Sequence, residues 1–158
     1  MSTVVWRIGH AAASTVDDQE AYGSTLFPGR WHTLRFGPRP RRVIYAASSR
    51  ALAQLEKRVH ANGVAPVNQA LFALALPPDA DIDNAEALGL AAHWRDDVVI
   101  SQRFGDAWLD GGEGLALRVP SFVEPAEASF LLNPDHPKIG GVTLSVERNP
   151  FKFDPRLM

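Results

Sequence analysis

Residues 41–63, RRVIYAASSRALAQLEKRVHANG, read as a strand that runs straight into a helix. RRVIYAAS is short and rich in β-forming residues, Ser49 is placed to cap a helix, and Asn62-Gly63 is placed to stop it. On a wheel of about 100° per residue, Leu52, Leu55 and Val59 cluster on one side and Glu56 falls at the flank of that cluster. A carboxylate at the edge of a core must be paired, hydrogen-bonded or functional, because burial disfavours its charged form. An edge glutamate paired with Arg or Lys and a glutamate kept for chemistry both satisfy the pattern.

Working outward, TVVWRIG alternates, with Val4, Trp6 and Ile8 on one side and Val5 and Arg7 on the other, which predicts a strand. ALFALALPP reads as a buried strand ended by prolines, and LALRVPS, SFLLN and VTLSVERNPFKF as further strands. NAEALGLAAHWRDD and SQRFGDAWLDGG read as helices. No internal repeat, low-complexity block or Pro/Gly/Ser-rich linker divides the chain, so residues 1–158 are expected to form a single α+β domain.

Composition excludes several classes of chemistry. A formal charge of −2 argues against general attraction to nucleic acid or anionic membrane, so any positive site must be local. Without cysteine there is no disulfide, thiolate catalysis or cysteine-based zinc site, and the five histidines show no ligand spacing. No stretch approaches the roughly 20 apolar residues of a membrane span, and MSTVVWRIGH lacks the regions of a signal peptide. A soluble, cytoplasmic protein without a metal is the expectation.

Positive charge is concentrated in residues 27–50, where Arg30, Arg35, Arg39, Arg41, Arg42 and Arg50 offer donors suited to phosphate. Trp31 and Tyr45 bring rings able to stack on a base or nicotinamide, while Gly29 and Gly37 permit close backbone approach. The plain alternative is a solvated basic loop with Trp31 and Tyr45 packed in the core. Arg7 poses the same choice between a solvated strand face and a buried anion. Ser121 follows a proline at a strand end without a GxSxG elbow, which suits a turn-capping or ligand-binding hydroxyl better than a nucleophile.

In order along the chain, GRWH, VIYAASSRALAQLEKRVH, GDAWLDGGEGLALRVPS, FLLNPDHP and FKFDPRL resemble the RES-domain family, the toxin half of RES-Xre toxin-antitoxin modules. The resemblance implies an ADP-ribosyltransferase-like fold, with mixed, mostly antiparallel sheets and flanking helices. It further implies a toxin that degrades NAD+ by cleaving the nicotinamide–ribose bond with water or phosphate, causing growth arrest. Transfer of ADP-ribose to a cellular protein is the alternative, and an inactive NAD-binding module a further one. NAD+ enters as substrate, with no separate cofactor.

By position in these motifs, the resemblance assigns catalysis to Glu56, Arg30 and Tyr45 and ligand binding to Arg7, Arg30, Trp31, Tyr45 and Ser121. It also implies a helix-turn-helix antitoxin of the Xre type as partner and a homo-oligomer within that complex. His32, where GRWN is more usual, and Ser129, where an asparagine often precedes LLNP, depart from the family pattern. A nucleic-acid-directed toxin using Arg35 to Arg42 is the rival from another class, disfavoured by the near-neutral charge and by the lack of a ribonuclease-like His/Glu/Lys set.

Overall fold

The computed structural model describes residues 2–16 and 23–158. A seven-stranded sheet is built from β1 (Val4–His10), β4 (Ile44–Ala47), β5 (Gln69–Ala75), β6 (Ile82–Asn84), β7 (Ala116–Pro120), β8 (Ala128–Leu132) and β9 (Thr143–Arg148). Their spatial order is β6-β7-β8-β4-β1-β5-β9, and every pairing is antiparallel except β6 with β7. β2 (Arg35–Phe36) and β3 (Arg39–Pro40) form a separate small hairpin. Two helices, α1 (Arg50–His60) and α2 (Val98–Gly111), complete the α+β domain.

Alternation along the strands gives the sheet two apolar faces. Val5, Ile44, Ala46, Phe72, Leu74, Phe130 and Leu132 pack together on one side. On the other, Ile8, Ala47 and Leu71 meet Leu52 and Ala53 of α1, while Leu117, Val119 and Leu131 meet Leu109 of α2 with Trp31 and Trp94. β1 is therefore interior, and Arg7 is buried at 9% exposure rather than lying on a solvated face.

The helix ends follow the sequence. Ser49 accepts from the Leu52 amide at 3.0 Å, and Asn62 and Gly63 turn left-handed, at φ 50° and 79°, to end α1. The expected apolar stripe of α1 is corrected, however. Leu52 and Ala53 are buried, whereas Leu55 and Val59 are 43% and 55% exposed. Only the first half of the helix rests on the sheet; its second half borders a cavity through Glu56, Lys57 and His60.

The helix expected over 84–97 is also corrected. Asn84 Oδ1 caps the Ala87 amide at 3.1 Å, Gly89 reverses the chain at φ 96°, and only a single 3-10 turn, Trp94–Asp96, follows. Ala85 and Trp94 are thereby delivered into the core beneath α2. β9 stops at Arg148, ahead of Pro150, and Phe151 then packs under α1.

Candidate active site

The cleft originates in a split of the sheet. β1 and β4 share a single residue pair, Trp6 with Ala47, after which β1 follows β5 to His10 and β4 follows β8 to Ile44. Arg7 bridges the gap, its Nη1 donating to the Tyr45 carbonyl at 2.5 Å. A cavity of about 410 Å³ occupies the opening, within the range of small-molecule sites. Its walls are the parting strands, the second half of α1, the loop through residues 27–32, and Phe122 and Val123.

Glu56 stands on the α1 wall, where its Oε1 accepts from Ser121 Oγ at 3.2 Å. That hydroxyl already accepts from the amides of Val123 (3.1 Å) and Glu124 (3.0 Å), so its proton is aimed at the carboxylate. Ser121 is 1% exposed and stands behind Glu56, outside the cavity lining. Among the described residues no Lys, Arg or His forms an ion pair with Glu56. The edge-glutamate reading required such a partner.

Arg30 also lines the cavity, with its guanidinium carbon 3.9 Å from the Phe122 ring centroid. An aromatic face holds a cation without neutralising it, which keeps the N–H donors available to an anion. The rest of the basic cluster is dispersed. Arg41 pairs with Asp106 and Asp110, Arg42 with Asp135 and Arg50 with Glu147, while Arg35 and Arg39 are exposed on the β2–β3 hairpin. The sequence places those arginines near one another in the chain; the fold brings Arg30 and Arg7 to the cleft.

Tyr45 sits at the base of the site. Its hydroxyl donates to His32 Nδ1 at 2.7 Å and accepts from the Trp31 amide at 3.3 Å, while His32 Nε2–H donates to the Ser24 carbonyl at 2.9 Å. This chain is self-consistent for neutral imidazole protonated on Nε2. Burial lowers the His32 pKa from its ordinary value, chiefly by desolvation, against upward pulls from the Ser24 carbonyl and Asp106. Burial likewise raises the Tyr45 pKa, keeping the phenol protonated. With its hydroxyl engaged, Tyr45 offers the cavity its ring. Trp31 also borders the cavity, but it is 3% exposed and tilted against Trp94 at 5.0 Å, and it holds Tyr45 through its backbone N–H.

The sequence pattern of the RES domain matches residues 4–154. The chain belongs to the RES domain family. A protein of Sphingobium sp. named "Prs ADP-ribosylating toxin" is 34% identical over 164 residues, covering 100% of this chain and 98% of that one. "Toxin Res" of Yersinia enterocolitica is 33% identical over 139 residues (86% and 88% of the two chains), and "Toxin Res" of Pseudomonas putida 31% over 157 (98% and 99%).

One support of this RES domain's site goes unread in its sequence: the inner face of α2. Ser101 Oγ donates to the Arg30 carbonyl at 2.6 Å, Gln102 Nε2 to the Gly29 carbonyl at 2.9 Å, and Asp106 accepts from the Thr33 amide and hydroxyl at 2.8 and 2.6 Å. Between them Gly105 lies against Trp31, where a Cβ would come 1.7 Å from its carbonyl oxygen. Ser101, Gln102, Gly105 and Asp106 are spaced i, i+1, i+4, i+5, so one small and polar helical face clamps the segment carrying Arg30 and His32. The signal was present as polar residues on the face that also bears Leu109. Gly29 is required for a similar reason, since a Cβ there would meet the Tyr45 hydroxyl at 2.5 Å. No group of three metal-ligating side chains gathers among the described residues, and Ser129, 9% exposed, contributes to the cavity wall.

Proposed function

We propose that the cleft binds NAD+ and breaks the bond between ribose C1′ and the nicotinamide nitrogen, so that the chain acts as an NAD+-consuming toxin. The observation that carries this reading is Glu56, a carboxylate on the cavity wall with no cationic partner among the described residues and with its orientation set by a buried serine. As the bond breaks, its electron pair goes to the nicotinamide ring nitrogen, which loses its positive charge, and positive charge grows on the sugar. A preorganised carboxylate stabilises that charge most where water is displaced. Nicotinamide leaves neutral, so no acid need protonate it.

Arg30, presented by Phe122, grips the pyrophosphate, and Arg7 adds a fixed positive charge at the split between β1 and β4. The Tyr45 ring packs against the nicotinamide side of the ligand. An oxygen nucleophile then adds to C1′: water gives ADP-ribose and a released proton, and phosphate gives ADP-ribose phosphorylated at that same carbon. Growth arrest follows from loss of NAD+. An antitoxin partner that restrains the enzyme draws support from the relatives named "Toxin Res"; that it is a helix-turn-helix protein, and that more than one copy of the chain assembles with it, belong to the same proposal.

A second reading is supported by the relative named "Prs ADP-ribosylating toxin": the same bond breaks, and a protein side chain takes the ADP-ribose. Incubating the purified chain with NAD+, with and without phosphate, and weighing the products separates these outcomes. ADP-ribose or its phosphate supports NAD+ degradation. Intact NAD+ in both buffers, with label from NAD+ appearing on protein in a lysate, supports transfer; intact NAD+ and no labelled protein overturns both.

A further inference from the structure

Ser121 and Phe122 are consecutive, and each touches one charged group of the cleft. Ser121 Oγ donates to Glu56, and the Phe122 ring lies 3.9 Å from the Arg30 guanidinium carbon. The two carbonyls of this dipeptide accept from one side chain: Arg95 Nη2 donates to Ser121 O at 2.5 Å and Nη1 to Phe122 O at 3.0 Å. The Arg95 guanidinium carbon is also 4.8 Å from the ring centroids of both Phe122 and Trp94. Trp94 is itself anchored, 6% exposed and packed on Trp31. Among the described residues Arg95 forms no salt bridge, and its hydrogen bonds go to this backbone.

We infer that Arg95 is a positioning residue of the cleft, which sets the Glu56 carboxylate and the Arg30 guanidinium together by fixing the Ser121–Phe122 peptide. The loop after β7 needs such a device because Phe122 is 42% exposed and is not held there by burial. A planar guanidinium presents a rigid fork of donors to two neighbouring carbonyls while its flat face stacks on a ring; an ammonium has neither the fork nor the plane. A carboxylate in place of Phe122 would also hold Arg30, but it would neutralise the charge that an anionic ligand needs. The consequence for turnover rests on the NAD+ reading above; the geometric statement does not.

The test compares Arg95→Ala, Arg95→Lys, Phe122→Leu and Ser121→Ala in the full chain by two readouts. In NMR spectra of the wild type, the Arg30 side-chain protons are expected upfield, shielded by the Phe122 ring. Arg95→Ala is expected to remove that shielding and to move the Glu56 carboxylate carbon, while the His32 ring signals stay in place. In nicotinamide release, Phe122→Leu is expected to act mainly on KM and Ser121→Ala mainly on kcat. Arg95→Ala should change both, on the order of tenfold each, and adding Ser121→Ala to it should cost no further kcat. Arg95→Lys keeps a cationic donor but loses the planar fork and should fall between; it also supplies the answer if the alanine variant does not fold. Unchanged Arg30 and Glu56 signals in Arg95→Ala or Arg95→Lys, or full additivity with Ser121→Ala, would overturn the inference. Absence of nicotinamide release by the wild type would count against the NAD+ reading, and the NMR signals would still decide the role of Arg95.

Discussion

Gly105→Ala tests whether α2 is the clamp of the site. The added Cβ would lie 1.7 Å from the Trp31 carbonyl oxygen, 2.8 Å from its carbon and 3.2 Å from Trp31 Cβ, whereas ordinary contact begins near 3.4 Å. The nearest atoms are backbone, so no rotamer change relieves the clash; helix and loop must part by more than about 1 Å, at an overpacking cost of about 1–3 kcal/mol. Alanine's better helix propensity returns at most about 1 kcal/mol of this. The same displacement moves Arg30 and His32, and a shift of about 1 Å at a site can cost roughly a hundredfold in rate. Gly111→Ala is the control, since it lies in the last turn of the same helix with nothing within 4 Å of an added Cβ. Urea unfolding and nicotinamide release, measured side by side, should show Gly105→Ala destabilised and slow and Gly111→Ala unchanged or slightly more stable. Equal stability and rate in the two variants would refute the clamp.

Three further outcomes follow from the cleft. Tyr45→Phe keeps the ring but leaves His32 Nδ1 and the Trp31 amide without their partner, so chemical denaturation should show a loss of about 1–3 kcal/mol. His32 has a folded-state pKa below its ordinary 6.5, so below that value the unfolded chain takes up a proton that the folded chain resists. Stability should therefore fall as pH drops from about 6.5 until folded His32 itself protonates, and this share of the slope of Tm against pH should vanish in His32→Asn. Arg30→Ala should raise KM for NAD+ by roughly ten- to a hundredfold, the loss of charge-assisted contacts to the pyrophosphate, with the melting curve retained.

Six of the seven sheet strands and the two helices were legible because their sequences alternate or carry caps: Val5 and Ile8 fall on opposite faces of β1 and Ser49 caps α1, whereas β6 and the β2–β3 hairpin, two or three residues per strand, are too short to show a period. The segment 84–97 misled because its alanines and leucines favour a helix locally while Asn84 and Gly89 divert the backbone into turns. The α1 wheel marked Glu56 as a boundary residue but not which side it faces, since that depends on where β1 and β4 part. The split itself is a matter of strand pairing, and neither strand's composition records it. Chain proximity likewise overstated the basic cluster: Asp106, Asp110, Asp135 and Glu147, all distant in sequence, pair with Arg41, Arg42 and Arg50, half of it. Trp31 and Tyr45 were both read as rings able to stack; both border the cavity, but Trp31 is buried with its ring against Trp94, while Tyr45 is half-buried.

Glu56→Gln addresses the NAD+ reading most directly, because it removes the charge while keeping an oxygen that can accept from Ser121. Nicotinamide release from NAD+ by the wild type and this variant should be followed under single-turnover conditions, with the melting curve of each recorded alongside. A folded variant whose release falls by a hundredfold or more, on the order of the loss of one preorganised electrostatic group, is the predicted result. A folded variant that releases nicotinamide at the wild-type rate would contradict the assignment of Glu56 as the group that stabilises the breaking bond.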